Sequence, residues 1–280
     1  MILPPLREVV ERYDLIAKKA LGQNFIFDTN LLDKIVRSAK SRDPAPFDKG
    51  TVVEVGPGPG GLTRAILENG AKHLAVIEKD ARCLPVLNDI KEAYPNRMTA
   101  LQADALTVDP AELGGAPRCV IANLPYNVGT ALLTGWLKHA KDFSSFTLMF
   151  QKEVADRLVA APATDGYGRL SVLTQWLCEA EILFTVDRSC FTPPPKVTSA
   201  IVFLRPREKP AAPARSDLLE RITAAAFGQR RKMLRSSLKT IGNVEKLCEA
   251  AGVEPTVRAE TVSVEAFCAM ARCLEEETNR

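Results

Sequence analysis

Thr51-Val52-Val53-Glu54-Val55-Gly56-Pro57-Gly58-Pro59-Gly60-Gly61-Leu62 decides how this chain folds. Its first five residues are a mostly apolar, β-branched run of strand length. A glycine-rich turn follows at once, and Leu62 to Asn69 then reads as a helix. Strand, glycine turn, helix is the opening unit of a doubly wound parallel sheet. Glycines let a ligand approach the backbone, and a helix N-terminus favours an anionic group such as a carboxylate. Gly56, Gly58 and Gly61 also satisfy G-x-G-x-x-G, so a dinucleotide is one reading of the turn.

The next strand, Leu74-Ala75-Val76-Ile77, ends at Glu78, 22 residues after Gly56. An acid at that separation can accept from both hydroxyls of an adenosine ribose. Met98 to Gln102 is a third strand and runs into Ala103-Asp104-Ala105-Leu106. Asp104 can accept from the exocyclic amine of an adenine ring, or can simply cap a turn. A fourth apolar run, Cys119-Val120-Ile121-Ala122, ends at Asn123-Leu124-Pro125-Tyr126. Pro125 fixes its own φ and biases Leu124 toward extended backbone. The Asn123 amide oxygen and the Leu124 carbonyl can then both point outward as acceptors, with the Tyr126 ring beside them. That arrangement suits a planar base carrying an exocyclic NH2. Ser145 to Phe150, Leu183–Val186 and Ala200–Leu204 bring the strands to seven, with helices between, which predicts a three-layer α/β domain.

Upstream, residues 6–19 have helical apolar spacing, and Asn30 to Lys40 resumes it. Between them lies Leu21-Gly22-Gln23-Asn24-Phe25-Ile26, whose two amide side chains suit either a ligand's polar groups or a turn cap. Downstream, Arg205 to Arg215 is Pro-rich and reads as a linker. No strand pattern recurs beyond it. Leu218 to Leu238, Val244 to Ala251 and Val264 to Leu274 have helical spacing. The expected organisation is a sheet domain over residues 1–208, a linker over 209–215 and an all-helical domain over 216–280.

Composition narrows the classes. The chain has 280 residues, 46% hydrophobic and 25% charged, as in ordinary globular proteins. No run approaches the roughly 20 apolar residues of a membrane span, and residues 1–11 have no secretory pattern. Seven cysteines without any C-x-x-C argue against a disulfide framework or a zinc site, and fit reduced thiols in the cytoplasm. No metal site is expected, and nothing demands more than a monomer. The net charge of +3 is concentrated: residues 216–240 hold Arg221, Arg230, Arg231, Lys232, Arg235 and Lys239 against two acids. Such a cluster is a phosphate-binding candidate or a solvated helix face.

The first three strand ends describe a nucleoside cofactor with a carboxylate tail, which S-adenosylmethionine satisfies. The fourth describes an acceptor amine, for which a dinucleotide enzyme has no use. Methyl transfer to an adenine N6 unites all four. The target adenine must be unstacked and held between flat groups. Tyr126 is one face; Phe191 is either the other face or a core side chain.

These residues resemble one family, the ribosomal RNA adenine N6,N6-dimethyltransferases that act on the small subunit. The resemblance rests on Leu21-Gly22-Gln23-Asn24-Phe25, Glu54-Val55-Gly56-Pro57-Gly58-Pro59-Gly60-Gly61-Leu62-Thr63, Val76-Ile77-Glu78, Asp104-Ala105 and Asn123-Leu124-Pro125-Tyr126-Asn127. It extends through Gln151-Lys152-Glu153-Val154, Tyr167-Gly168-Arg169-Leu170-Ser171, Phe191-Thr192-Pro193-Pro194-Pro195-Lys196-Val197 and Gln229-Arg230-Arg231-Lys232. Ile26, Gly129, Met233 and Ser236 are mild departures. The resemblance implies a seven-stranded, Rossmann-like, S-adenosylmethionine-dependent methyltransferase domain with a small helical tail. It places Gln23, Asn24, Ile26, Gly56 and Gly58 at the cofactor's methionine end, Glu78 at its ribose, and Asp104 with Ala105 at its adenine. It assigns Asn123, Leu124, Pro125 and Tyr126 to the target base, with Asn123 also expected at the cofactor; Phe191 stays the open candidate for the second flat face. Arg230, Arg231, Lys232 and Arg235 would contact RNA. The implied substrate is a pair of adjacent adenosines in the 3′-terminal loop of 16S ribosomal RNA, within an immature small subunit. Alternatives are a large-subunit methyltransferase of the antibiotic-resistance type, a ribosome-assembly factor without turnover, and a nicotinamide oxidoreductase.

Overall fold

The structure, a computed structural model, describes residues 3–17 and 22–278. The end of the first predicted helix and Leu21 of the amide motif lie outside the described residues. The strands are β1 (Phe25–Ile26), β2 (Thr51–Val55), β3 (Leu74–Glu78), β4 (Met98–Gln102), β5 (Arg118–Asn123), β6 (Ser145–Gln151), β7 (Cys178–Val186), β8 (Phe191–Thr192) and β9 (Ser199–Pro206). The helices beside them are α1 (Leu6–Arg12), α2 (Thr29–Arg42), α3 (Ala45–Lys49), α4 (Gly61–Glu68), α5 (Leu84–Ala93) and α6 (Gly129–Leu137).

Seven strands form one sheet in the order β4-β3-β2-β5-β6-β9-β7. From β4 to β6 all neighbours are parallel, and β9 enters antiparallel to β6. The chain reverses direction along the sheet between β2 and β5, where Val52 pairs with Cys119 and Val53 with Val120. In open α/β sheets, ligands bind outside the carboxyl ends of the strands at such a switch point. Every residue of β2 and β3 is buried, which explains their near-continuous apolar runs. A second, two-stranded sheet was not anticipated: Phe25 pairs with Thr192 and Ile26 with Phe191. Strands of two residues leave no alternation to read in a sequence.

Contacts divide the chain into two units, Met1–Ala155 with Glu181–Pro206 and Asp156–Ala180 with Arg207–Arg280. The second unit holds the C-terminal half of α7 (Lys152–Val159), then α8 (Arg169–Leu177), α9 (Ser216–Gly228), α10 (Leu234–Ser237), α11 (Val244–Ala251) and α12 (Val264–Thr278). Its core joins Tyr167, Val172 and Trp176 to Leu219, Ile222 and Phe267. The Tyr167 hydroxyl donates to the Val262 carbonyl at 2.8 Å. Trp176 Nε1 donates to Ala212 O at 2.8 Å, and Ala211 N donates to Trp176 O at 2.8 Å. Residues 156–180 thus pack with the C-terminal helices rather than with the sheet domain of the sequence reading. The Pro-rich stretch lies along this core instead of acting as a free spacer.

The continuous helix expected over Leu218 to Leu238 is two helices separated by a turn. Leu234 N donates to Val257 O and Arg235 N to Pro255 O, both at 2.9 Å. These donors go to a neighbouring segment rather than to carbonyls four residues back, so the basic run 229–233 is a turn.

The glycine turn between β2 and α4 is strained for any other residue at Gly60, where φ is +82° and an added Cβ would lie 2.3 Å from Ile90 Cδ1. Gly60→Ala is expected to cost about 1–3 kcal/mol from the left-handed backbone alone, read as a lowered midpoint in denaturant unfolding. An unchanged midpoint would mean the turn relaxes without cost.

Candidate functional site

A crevice of about 220 Å³ opens at the carboxyl ends of β2, β3, β4 and β5. It is lined by residues 22–26, the glycine turn, Glu78 to Asp80, residues 103–106 and Asn123 to Val128. All four strand-end motifs therefore meet in one cavity. Chemically it offers carboxylates, a backbone turn with little side-chain cover, and the start of α4.

Glu78 is 5% exposed and is held by the backbone. Its Oε2 accepts from Gly58 N at 2.9 Å, and its Oε1 accepts from Asp80 N at 2.7 Å. Burial raises its pKa, and these two donors oppose the rise. The carboxylate thus fixes the glycine turn while facing the cavity. Gly58 has φ +54°, and a Cβ there would sit 3.1 Å from Phe25 Cε1. Gly56 and Ile26 also line the crevice, and Ile26 is buried.

Asp104 and Ala105 form the crevice wall beyond β4. Asp104 Oδ2 accepts from Lys79 Nζ at 2.7 Å, and Oδ1 accepts from Leu106 N at 3.0 Å. The Lys79 bond, first, and the backbone donor lower its pKa, so it is a carboxylate at neutral pH. Lys79 was not singled out in the sequence; its partner is 25 residues away and no local pattern marks the pair.

On the β5 side, Asn123 Nδ2 donates to the Asn24 carbonyl at 3.3 Å. That bond commits the amide nitrogen and leaves Oδ1 as the acceptor end of the group. Asn24 Nδ2 donates to Gly22 O at 3.4 Å, and Gln23 Nε2 donates to Asp80 Oδ2 at 3.1 Å. Gly22 packs so closely that a Cβ on it would lie 2.9 Å from Asn127 Oδ1. Leu124 and Pro125 line the same wall. The Tyr126 hydroxyl shares a 2.6 Å hydrogen bond with Ser199 Oγ, and Ser199 is fully buried on β9. Burial raises the Tyr126 pKa, so the group is a neutral phenol at neutral pH and cannot act as a phenolate base.

Phe191 takes the other of its two readings. It is 3% exposed, sits in the hydrophobic core and is not among the crevice-lining residues. Its register partner is Ile26, so the β1–β8 pairing turns its side chain into the core. A second flat face opposite Tyr126 is not supplied by Phe191 in this arrangement.

Arg230 also departs from expectation. Its Nη2 donates to the Asp165 and Tyr167 carbonyls at 2.5 and 3.1 Å, and its Nε faces Glu260 at 3.4 Å. It ties the helical unit together. Arg231, Lys232 and Arg235 are exposed. Among the described residues no cluster of three or more His, Cys, Asp or Glu has metal-binding geometry, and no helix is long and apolar enough to cross a membrane.

Glu54 also lines the crevice, and its sequence motif gave it no role. It is 1% exposed, and its Oε2 accepts from Thr63 Oγ1 at 2.7 Å. Burial pushes its pKa up to about 8, against the Thr63 bond, with Glu78 adding to the rise.

The architecture defines a class: a seven-stranded Rossmann-like sheet with an antiparallel insertion, a glycine turn after the first sheet strand and an acid after the second is a methyltransferase fold. The chain belongs to the ribosomal RNA adenine dimethylase family, whose model matches residues 15–276. It is 58% identical over 276 residues to the ribosomal RNA small subunit methyltransferase A of Paramagnetospirillum magneticum, covering 99% of this chain and 96% of that one. Among solved structures it is similar to a dimethyladenosine transferase from Plasmodium falciparum, with a TM-score of 0.73, 24% identity and coverage of 91% and 98% of the two chains. It is also similar to the 23S rRNA methyltransferase ErmE, with a TM-score of 0.67, 27% identity and coverage of 90% and 100%.

The Glu54 carboxyl gives a stability test. A raised folded-state pKa makes its protonated form stabilising below the ordinary value of 4.5, and that contribution is lost as pH rises to about 8. Wild-type thermal stability is expected to decline across that window, and Glu54→Gln to flatten the decline. Equal declines in both proteins would place the titration on another group.

Proposed function

We propose that this chain transfers methyl groups to N6 of two adjacent adenosines in the 3′-terminal loop of 16S ribosomal RNA, within the immature small subunit. The observation that carries this reading is the Asn123-Leu124-Pro125-Tyr126 turn, which opens into the same crevice as the glycine turn and Glu78. The crevice residues fit S-adenosylmethionine. Glu78 would accept from ribose hydroxyls and Asp104 from an adenine amine. The backbone of the glycine turn, which lines the crevice, and the start of α4 suit a carboxylate. Gln23, Asn24 and Ile26 border the same end. When bound, that cofactor supplies a methyl group already activated on a sulfonium.

The adenine N6 lone pair is delocalised into the purine ring, so N6 is a weak nucleophile. Asn123 Oδ1 and the Leu124 carbonyl accept the two N6 hydrogens. This favours a pyramidal nitrogen with a localised lone pair and stabilises the transition state more than the ground state. Asn24 orients the Asn123 amide so that an acceptor, not a donor, meets the amine. Tyr126 provides a stacking face, which is worth about 1–3 kcal/mol per base. Ser199 holds the Tyr126 hydroxyl, so the ring keeps one orientation. The phenol stays neutral, and the amine's proton leaves to water during or after transfer. Dimethylation requires two rounds per adenosine, so the pocket admits an amine already carrying one methyl.

A small-subunit substrate is favoured over a large-subunit one because the relative named for the small subunit is more than twice as identical to this chain as ErmE is. Arg231, Lys232 and Arg235 are exposed and would supply positive charge for RNA phosphates.

Asn123→Ala is expected to abolish transfer to undermethylated small subunits while leaving S-adenosylmethionine affinity largely unchanged in calorimetry. Near-normal turnover would remove Asn123 from the chemistry. Charge reversal at Arg231 and Lys232 is expected to weaken particle binding and lower the logarithmic salt slope by about one per residue. Arg230→Ala should instead lower the thermal stability of the protein. An unchanged slope in the double reversal would put the RNA surface elsewhere.

A further inference from the structure

Asp80 and Arg82 belong to none of the sequence motifs, yet they sit where both halves of the crevice are tied together. Asp80 is 8% exposed and lines the cavity. Arg82 meets it as a fork, with Nε to Oδ1 at 3.0 Å and Nη2 to Oδ2 at 2.6 Å. A fork–fork pair fixes orientation as well as distance. The same guanidinium reaches out to the N-terminal segment, where Nη1 donates to Asp14 O at 3.4 Å and Ile16 O at 3.3 Å. Asp80 Oδ2 accepts from Gln23 Nε2 at 3.1 Å. The pair therefore holds the N-terminal segment at two points, before and after residues 18–21.

Two continuations make this more than a surface tie. On one side, Asp80 N donates to Glu78 Oε1, whose other oxygen holds Gly58. On the other, the residue after Gln23 is Asn24, whose carbonyl accepts from Asn123 Nδ2. A single chain of hydrogen bonds and one covalent step runs from the glycine turn through Glu78, Asp80 and Gln23 to Asn24 and Asn123. The charge-assisted Asp80–Arg82 pair is its strongest link, and Arg82 lowers the Asp80 pKa to about 2.

We propose that Asp80 and Arg82 are positioning residues for methyl transfer: by clamping residues 14–16 and 22–24 they set the Asn24 carbonyl, and through it the orientation of the Asn123 amide. They touch neither the acceptor base nor the reacting atoms. Without the clamp, the Asn24 carbonyl moves, and the Asn123 amide is free to rotate its donor end toward the target amine. That geometry repels an N–H instead of accepting it. The inference rests on the adenine-N6 reading of the site.

The test uses the full chain with Arg82→Ala, Asp80→Asn and Arg82→Lys. Single-turnover methylation of undermethylated small subunits is run at saturating S-adenosylmethionine, alongside cofactor titration by calorimetry and thermal melting. The Asn123 side-chain NH2 signal is followed in asparagine-labelled protein without cofactor and assigned with Asn123→Ser. Arg82→Ala and Asp80→Asn are expected to lose about tenfold to a hundredfold in transfer rate at saturating S-adenosylmethionine, the scale of a small misplacement, a loss that persists whatever the change in cofactor affinity. The Asn123 signal should shift or broaden in both. Millimolar guanidinium should restore part of the rate in Arg82→Ala and return the signal, and Arg82→Lys, lacking the fork, should remain slow.

Unchanged rates and an unmoved Asn123 signal would overturn the proposal. So would a rate loss that tracks only a drop in melting temperature without guanidinium rescue. If wild type itself fails to methylate the particle, the underlying reading of the site fails. A changed Asn123 signal in the variants would still support the clamp as a structural coupling.

Discussion

The site depends on one buried carboxylate. Glu78 sits at the end of β3 with almost no solvent contact, and a carboxylate there is tolerated only because backbone donors satisfy it. Those donors come from Gly58 and Asp80, so satisfying the charge also fixes the shape of the glycine turn and the course of the chain beyond β3. Removing the carboxylate would leave two buried N–H groups without their acceptor, a larger penalty than losing one hydrogen bond. A ligand hydroxyl approaching Glu78 meets an acceptor that is already oriented, and little reorganisation is left for binding to supply.

The opposite wall is ordered by packing rather than by charge. Gly22 allows the N-terminal segment to lie against Asn127 and Pro125, and the Asn24 carbonyl then reaches Asn123. Tyr126 is anchored by Ser199, which β9 delivers because it enters the sheet antiparallel beside β6. The inserted strand that distinguishes this sheet from a fully parallel one thus also anchors an aromatic ring in the crevice wall. Chemistry in such a site comes from orientation: no metal cluster or activated nucleophile is needed to present an amine in line with an activated methyl.

Much of this was legible because it is local. The strand-turn-helix around Gly56 and the strand-end positions of Glu78, Asp104 and Asn123 follow from short patterns whose spacing carries their geometry. The residues that were missed act through tertiary contacts. Lys79 pairs with Asp104 across 25 residues and Ser199 with Tyr126 across 73, and neither separation leaves a sequence signature. Glu54 was quoted within a motif, but its deep burial depends on β2 lying between β3 and β5, which only the sheet order reveals. Phe191 and Arg230 show the converse. An aromatic beside a proline loop and an arginine in a basic run look like ligand contacts, but pairing with Ile26 buries the first, and three acceptors occupy the second. The helix read through residues 229–233 failed because periodicity cannot show that the donors of Leu234 and Arg235 find carbonyls at 257 and 255.

The most direct measurement is incubation of the protein with tritiated S-adenosylmethionine and small ribosomal subunits lacking adenine dimethylation, beside mature small subunits and large-subunit RNA. The account predicts label recovered as N6,N6-dimethyladenosine from the undermethylated small subunit alone. Label in large-subunit RNA, or none anywhere while the particle is still bound, would contradict it.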